Sequence, residues 1–257
     1  MQGIIQFSQA RGLWLASLVL TIAAIFSLTP LKGWAAESMT DEFNGDKFRA
    51  KWQWFNEPKK WDLGKTKPGW LHIDADLNRN LWTADITTRL FQVVSEDTFD
   101  VETHLATKWA ANSVVAGLVV TGPKEDNWVT LKFWGHGDGT AQLQYQTKAN
   151  ENGNGLIGRV PDYAAQKGEA ELFMRLAKKG DEYTAYFKVA EKEDWKKIGP
   201  TTFKLTPPLQ LSVYAGVDGA AGTMDINYNY FRDLITPFPV DEKGKLAVTW
   251  GALKRNR

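Results

Sequence analysis

From Asp41 onward the chain alternates apolar and polar side chains at every second residue, a period that matches the pleat of a β-strand and no helix. Between Trp70 and Leu77, the residues Leu71, Ile73, Ala75 and Leu77 take one face, and His72, Asp74 and Asp76 the other. Phe99–Leu105 repeats the pattern, with Asp100, Glu102 and His104 sharing the polar face. Trp128–Trp134 sets Val129, Leu131 and Phe133 against Thr130, Lys132 and Trp134. Val114–Val120 is apolar on both faces, as expected of a central strand covered on both sides. Further alternating runs span 141–147, 170–177, 183–189, 209–217 and 224–231. Glycine and aspartate clusters such as Gly135–Gly139 and Lys178–Asp181 punctuate them as turns. About ten strands at short spacing, without an amphipathic helix, predict an all-β fold, a single antiparallel sandwich or jelly roll. Asn150–Lys167 reads as a long polar loop of the kind that carries function.

The two ends depart from this pattern. Arg11 is followed by sixteen apolar-rich residues from Leu13 to Leu28, then Pro30, Lys32 and the small-residue exit Gly33-Trp34-Ala35. That run is short for a transmembrane span and suits a signal-peptide core, so residues 1–35 are expected to be an export leader; an uncleaved anchor is the alternative. Cutting after Ala35 leaves 222 residues, with the domain over 36–235 and no stable membrane insertion thereafter. Residues 236–257 form a Pro-punctuated, then basic tail that offers a protein-docking segment, with Leu246–Trp250 as a candidate edge strand. The cut chain holds 29 Lys and Arg against 30 Asp and Glu, and has no block of positive charge to recruit nucleic acid. Cysteine is absent, which excludes disulfides, thiolate metal sites and thiol nucleophiles. The export leader makes a periplasmic or extracellular destination the expectation, with burial in place of disulfides holding the domain.

Several short motifs fall in a telling order: Asp41-Glu-Phe43, Trp52-Gln-Trp54, Trp61-Asp-Leu63, Gly69-Trp-Leu71, Gln92, Phe99-Asp-Val-Glu-Thr103, Ala116-Gly-Leu118 and Arg175. Together they resemble the concanavalin A-like module appended to family-43 β-xylosidases and its stand-alone lectin-like relatives. The resemblance spans Asp41 to Leu234. It implies a curved two-sheet jelly roll with a concave face, found in both sugar-binding and glycan-cleaving proteins. The Glu-x-Asp-x-x-Glu signature of laminarinase-type glucanases is absent, and no attached glycosidase domain is expected. Fold does not fix function.

Ten of the twelve tryptophans lie beyond Ala35, eight of them between Trp52 and Trp134. Indole and phenol rings suit a half-wet surface and stack on the flat faces of sugars. Trp54, Trp134 and Tyr186 are the candidate platforms, with Glu102, Lys132 and Arg175 as polar contacts to an oligosaccharide or polysaccharide. The competing role for each ring is in the core. Asp100 and Glu102 share a strand face at roughly 6.5–7 Å, inside the range of an acid–base pair on a glycosidic bond. A glycoside hydrolase or lyase using that strand is thus the alternative to a non-catalytic binding protein, and an envelope scaffold is a third reading. Against catalysis, the resemblance favours a structural ion pair between Glu102 and Arg175.

No cofactor is called for. His72, His104 and His136 stand far apart without ligand spacing, and no phosphate loop, dinucleotide fingerprint or Gly-x-Ser-x-Gly is present. A structural calcium is the one metal the oxygen ligands allow, with Asp41 and Asp225 meeting where the first and last strands pair.

Overall fold

The computed structural model describes residues 38–236 apart from 75–80, 82–86, 96, 123–126, 150–152, 161–167 and 218–222. The leader, Leu246–Trp250 and all of the tail beyond Thr236 lie outside the described residues. Those described form fourteen strands and no helix: β1 (Gln53–Phe55), β2 (Lys60–Leu63), β3 (Leu71–Asp74), β4 (Thr88–Val94), β5 (Thr98–Trp109), β6 (Val114–Thr121), β7 (Trp128–Gly135), β8 (Ala141–Ala149), β9 (Gly153–Val160), β10 (Glu169–Lys179), β11 (Glu182–Lys188), β12 (Lys196–Thr202), β13 (Leu209–Val217) and β14 (Met224–Asp233).

Two seven-stranded antiparallel sheets result. The first runs β1-β4-β13-β6-β7-β8-β9 and the second β12-β11-β10-β5-β14-β3-β2. The expected all-β jelly-roll sandwich is the architecture observed. β13 lies between β4 and β6, and β14 between β3 and β5, so each sheet takes one late strand into its interior.

Alternation sorts side chains into core and outer rows. Across the first sheet, register aligns Leu90, Val213, Leu118, Leu131 and Tyr145, all fully buried. Across the second, Leu71, Tyr228, Leu105 and Leu172 do the same. Each such side chain contributes about 1.5–3 kcal/mol by leaving water, so these facing rows dominate cohesion. One polar tie crosses the core. The Tyr228 hydroxyl donates to the Tyr214 carbonyl at 2.6 Å and accepts from the Gly117 N–H at 2.8 Å. Gly117 sits at φ +141°, where a Cβ would lie 2.3 Å from the Leu131 carbonyl oxygen. Only glycine permits that close approach.

Both open sides of the sandwich are closed by packed edges. On one side Trp54 of β1 meets Trp61 of β2, with ring centroids 5.2 Å apart. On the other, Gly158 of β9 lies against Ile198 of β12. This corrects the reading of Asn150–Lys167 as a loop, because Gly153–Val160 is an edge strand. Its glycines look like turn residues in sequence, yet one of them, Gly158, is what lets the backbone approach β12.

Candidate functional site

The first sheet turns an unusual face away from the core. Register places Arg89, Tyr214, Gly117, Lys132, Gln144 and Arg159 in one outward row across β4, β13, β6, β7, β8 and β9. Neighbouring strands are about 4.8 Å apart, so Arg89 to Gln144 spans about 19 Å. Arg89 is 1% exposed, Lys132 4% and Gln144 3%, although all three point away from the hydrophobic interior. Such burial means that other parts of the chain cover this face. The adjacent row carries Ser212, Val119, Thr130 and Gln146. Leu81 packs over part of the recess with Val115, Val119, Trp128 and Tyr214, and Trp134 borders that cluster.

The chemistry of this face is polar and aromatic together. The Lys132 ammonium lies 5.4 Å from the Trp134 ring centroid, and the Trp134 and His136 rings are 4.5 Å apart. Gln142 Nε2 approaches His136 Nε2 at 3.0 Å. Thr130 donates to the Leu118 carbonyl at 2.9 Å and lies 3.2 Å from the Tyr214 hydroxyl. Burial alone pushes the Lys132 ammonium down to about 8. Gln146 Oε1 and Ser212 Oγ are buried without a hydrogen-bond partner among the described residues. A buried unsatisfied polar atom costs about 1–3 kcal/mol.

Of the residues nominated from sequence, Lys132 and Trp134 share this face. Glu102, Arg175, Tyr186 and Asp100 share the outward face of the second sheet, on the far side of the sandwich. A single wall of rings beside Glu102 and Arg175 is therefore not what forms. The expected Glu102–Arg175 pair is also replaced. Although Arg175 sits opposite Glu102 in register, its guanidinium forks onto the diagonal Asp100 at 2.8 and 2.6 Å. That hydrogen bonding holds the Arg175 pKa above the ordinary arginine value. Glu102 instead lies 3.7 Å from Arg232, which itself forks onto Glu42 at 2.8 Å twice. Tyr186 stacks beneath Arg175, 5.1 Å from ring centroid to guanidinium carbon. Beside this network, His104 stacks on Phe173 and lies 2.7 Å from Glu171; burial, opposed by Glu171, lowers its pKa. An open groove of about 710 Å³ follows, over Ala106 and between Lys67, Lys108, Glu169 and Asn227.

Trp54 is a side closure rather than a sugar platform. It pairs with Leu90 in register, which turns it inward onto Trp61. The calcium pair is likewise separated. Asp41 bridges Phe231, whereas Asp225 pairs with Asp74 six residues earlier on β14. The Asp41 carboxylate already accepts from the N–H groups of Phe43, Arg49 and Ala50 and from the Trp52 indole. Among the described residues no three His, Asp or Glu side chains converge on one point.

Arg89, Gln144, Gln146 and Tyr214 were missed in the sequence reading. The spacing Gln142, Gln144, Gln146 was a usable signal, since three amides at a period of two line one strand face.

The profile of a family described as the β-xylosidase C-terminal concanavalin A-like domain matches residues 40–216. Among solved structures, the GH43 protein BlXynB of Bacillus licheniformis is similar with a TM-score of 0.61 at 15% identity, over 76% of this chain and 39% of that one. The xylan β-1,4-xylosidase of Bacillus halodurans C-125 gives 0.60 at 16% identity, over 77% and 39%. A functionally unknown protein from Saccharomyces cerevisiae gives 0.55 at 13% identity, over 71% and 96%. The match thus spans 39% of the length of the two bacterial chains. At such identities the likeness carries the fold. No curated protein sequence matches the chain.

Proposed function

The chain belongs to the family of β-xylosidase C-terminal concanavalin A-like domains, and from that premise we propose that it is an exported, non-catalytic glycan-binding protein. The binding face is the outward side of the first sheet, entered at its margin, where Trp134, His136 and Gln142 are half-buried. One observation carries the reading: Lys132, Gln144, Gln146, Ser212 and Tyr214 are buried on a face that points away from the core, with two of their polar atoms lacking partners. Amides, a hydroxyl and an ammonium there match the hydroxyls of a sugar, and Trp134 supplies an apolar ring edge at the margin. Cleavage of a glycosidic bond requires two carboxyl groups flanking it. The described outward residues of β4, β6, β7, β8 and β13 include no Asp or Glu, which supports binding without hydrolysis. Asp100 and Glu102 lie on the other sheet in ion pairs. The likeness to a bacterial xylan β-1,4-xylosidase makes xylan-type oligosaccharides the first ligands to try.

A glycan array and a product-release screen on the same preparation test the proposal. Binding is expected, with Gln144→Ala and Trp134→Ala each weakening it by about 1–3 kcal/mol. Release of shortened sugars that survives neither variant would make the protein an enzyme instead.

A further inference from the structure

The second sheet carries an open groove on the far side of the sandwich from Lys132 and Trp134. Along β5 the outward residues from Asp100 to Lys108 are acidic, basic or imidazole side chains except for Ala106. Register sets Ala106 between Asn227 of β14 and Glu171 of β10. Its single methyl lowers the floor among longer neighbours, and the groove of about 710 Å³ opens over it. On one side of Ala106 stands the ion pair of Lys108 with Glu169. On the other is an aromatic row, in which His104 stacks on Phe173 at 4.1 Å and lies 4.8 Å from the Trp70 ring. Lys67, from the turn between β2 and β3, lines the groove with its ammonium 3.3 Å over the half-buried Trp70 indole.

Polar groups here are open to solvent, unlike those of the Lys132 row. The side chains of Lys108, Glu169 and Glu171 are 71%, 59% and 61% exposed. Asn227 Oδ1 accepts from His72 Nδ1 at 3.0 Å, which leaves the amide N–H groups as donors beside the groove. Glu169 spends one acceptor site on Lys108, whereas a carboxylate has about four. Lys67 and Lys108 face Glu169, Glu171 and Asp225, so charge is nearly balanced and neither sign of ion is strongly drawn in. Interleaved donors and acceptors without a net field suit a neutral ligand rich in hydroxyls.

We propose that this groove is a second saccharide site, selective for a neutral sugar, so that the domain holds one glycan on each face; the count of two rests on the glycan-binding reading above. A sugar ring takes the place of Lys67 on the Trp70 indole, its C–H face against the ring and its hydroxyls toward Asn227, Glu169 and Lys108. The Asp100–Arg175 fork belongs to neither site, since Asp100 is six residues from Ala106 along β5, about 20 Å. Sugars on opposite faces let one molecule bridge two glycan strands.

Calorimetric titration of the protein with neutral xylo-, cello- and manno-oligosaccharides, and with an oligogalacturonate, counts the sites and reads their preference. Two sites per chain are expected for a neutral probe. Ala106→Gln, which fills the groove from an outward position, is expected to reduce the count to one. Lys108→Ala, at an exposed position that leaves the core untouched, should weaken that same site about tenfold. Trp134→Ala should weaken the other site alone. A single site that is lost in Trp134→Ala and indifferent to Ala106→Gln and Lys108→Ala overturns the groove and leaves the first-sheet reading standing. The reverse response overturns the first-sheet reading, and with it the count of two, and leaves the groove as the sugar site. Tighter binding of the oligogalacturonate at the groove overturns its neutral preference. Binding of none of the four probes overturns both.

Discussion

Gly158 and Ile198 meet so closely that a Cβ on Gly158 would lie 2.3 Å from Ile198 Cγ2 and 3.0 Å from the Ile198 carbonyl oxygen. The contact joins the edge strand of one sheet to the edge strand of the other. Gly158→Ala must therefore push β9 and β12 apart, at a cost of about 1–3 kcal/mol. Urea unfolding reads this directly, and an unchanged midpoint would show that the two edges part freely.

The Tyr228 hydroxyl predicts a second measurable loss. Tyr228→Phe preserves the ring but strands the Gly117 N–H and the Tyr214 carbonyl inside the sandwich. About 1–3 kcal/mol of destabilisation is expected, with faster hydrogen exchange at the Gly117 amide than at its neighbours in β6. Uniform exchange across β6 would argue that the tie is incidental.

Lys132 makes stability depend on pH in the alkaline range. Its pKa in the fold is about 8 against 10.5 ordinarily, so between those values the unfolded chain binds more protons than the folded one. Stability then rises with pH from about 8 toward 10, because the cost of burying the charge disappears. Beyond that, Tyr145, Tyr183, Tyr214, Tyr228 and Tyr230, all raised by burial, keep their protons in the fold and reverse the slope. Lys132→Met should remove the rise, leave the fall, and stabilise the protein at neutral pH by on the order of 3 kcal/mol. Parallel wild-type and variant slopes between pH 8 and 10 would refute the assignment.

The opposite face supplies a control on where sugar binds. Asp100→Asn loosens the Arg175 fork, a partly exposed pair worth about 1 kcal/mol or less in stability. Glycan affinity should stay within about twofold of the wild type, since the fork lies across the sandwich from Lys132. A large loss of affinity in this variant would move the binding face to the second sheet.

What was readable in advance was parity. Lys132 and Trp134, or Glu102 and Asp100, share a face because they are two residues apart on one strand, and this follows from local geometry. Which sheet a strand joins depends on pairings between distant segments. Arg89 reaches the Lys132 row only through Tyr214 of β13 and Gly117 of β6. Nothing local separates β5 from β7 in that respect, so residues of opposite faces were gathered into one site. Trp54 failed for a related reason: its inward turn is set by register against Leu90. The edge strand β9 was obscured by its glycines, and the purpose of Gly158 appears only once Ile198 is beside it.

The placement of the last two strands governs how the chain comes to be folded at all. β13 completes the first sheet between β4 and β6, and β14 completes the second between β3 and β5. Until residues 209–233 leave the ribosome, each sheet is two detached fragments with two naked hydrogen-bonding edges facing one gap. Vectorial synthesis therefore yields an open, pliable polypeptide for most of its length, and closure waits on residues 209–233. A stop codon ahead of Leu209 would release fragments prone to pair with one another, the failure expected of long-range β topologies.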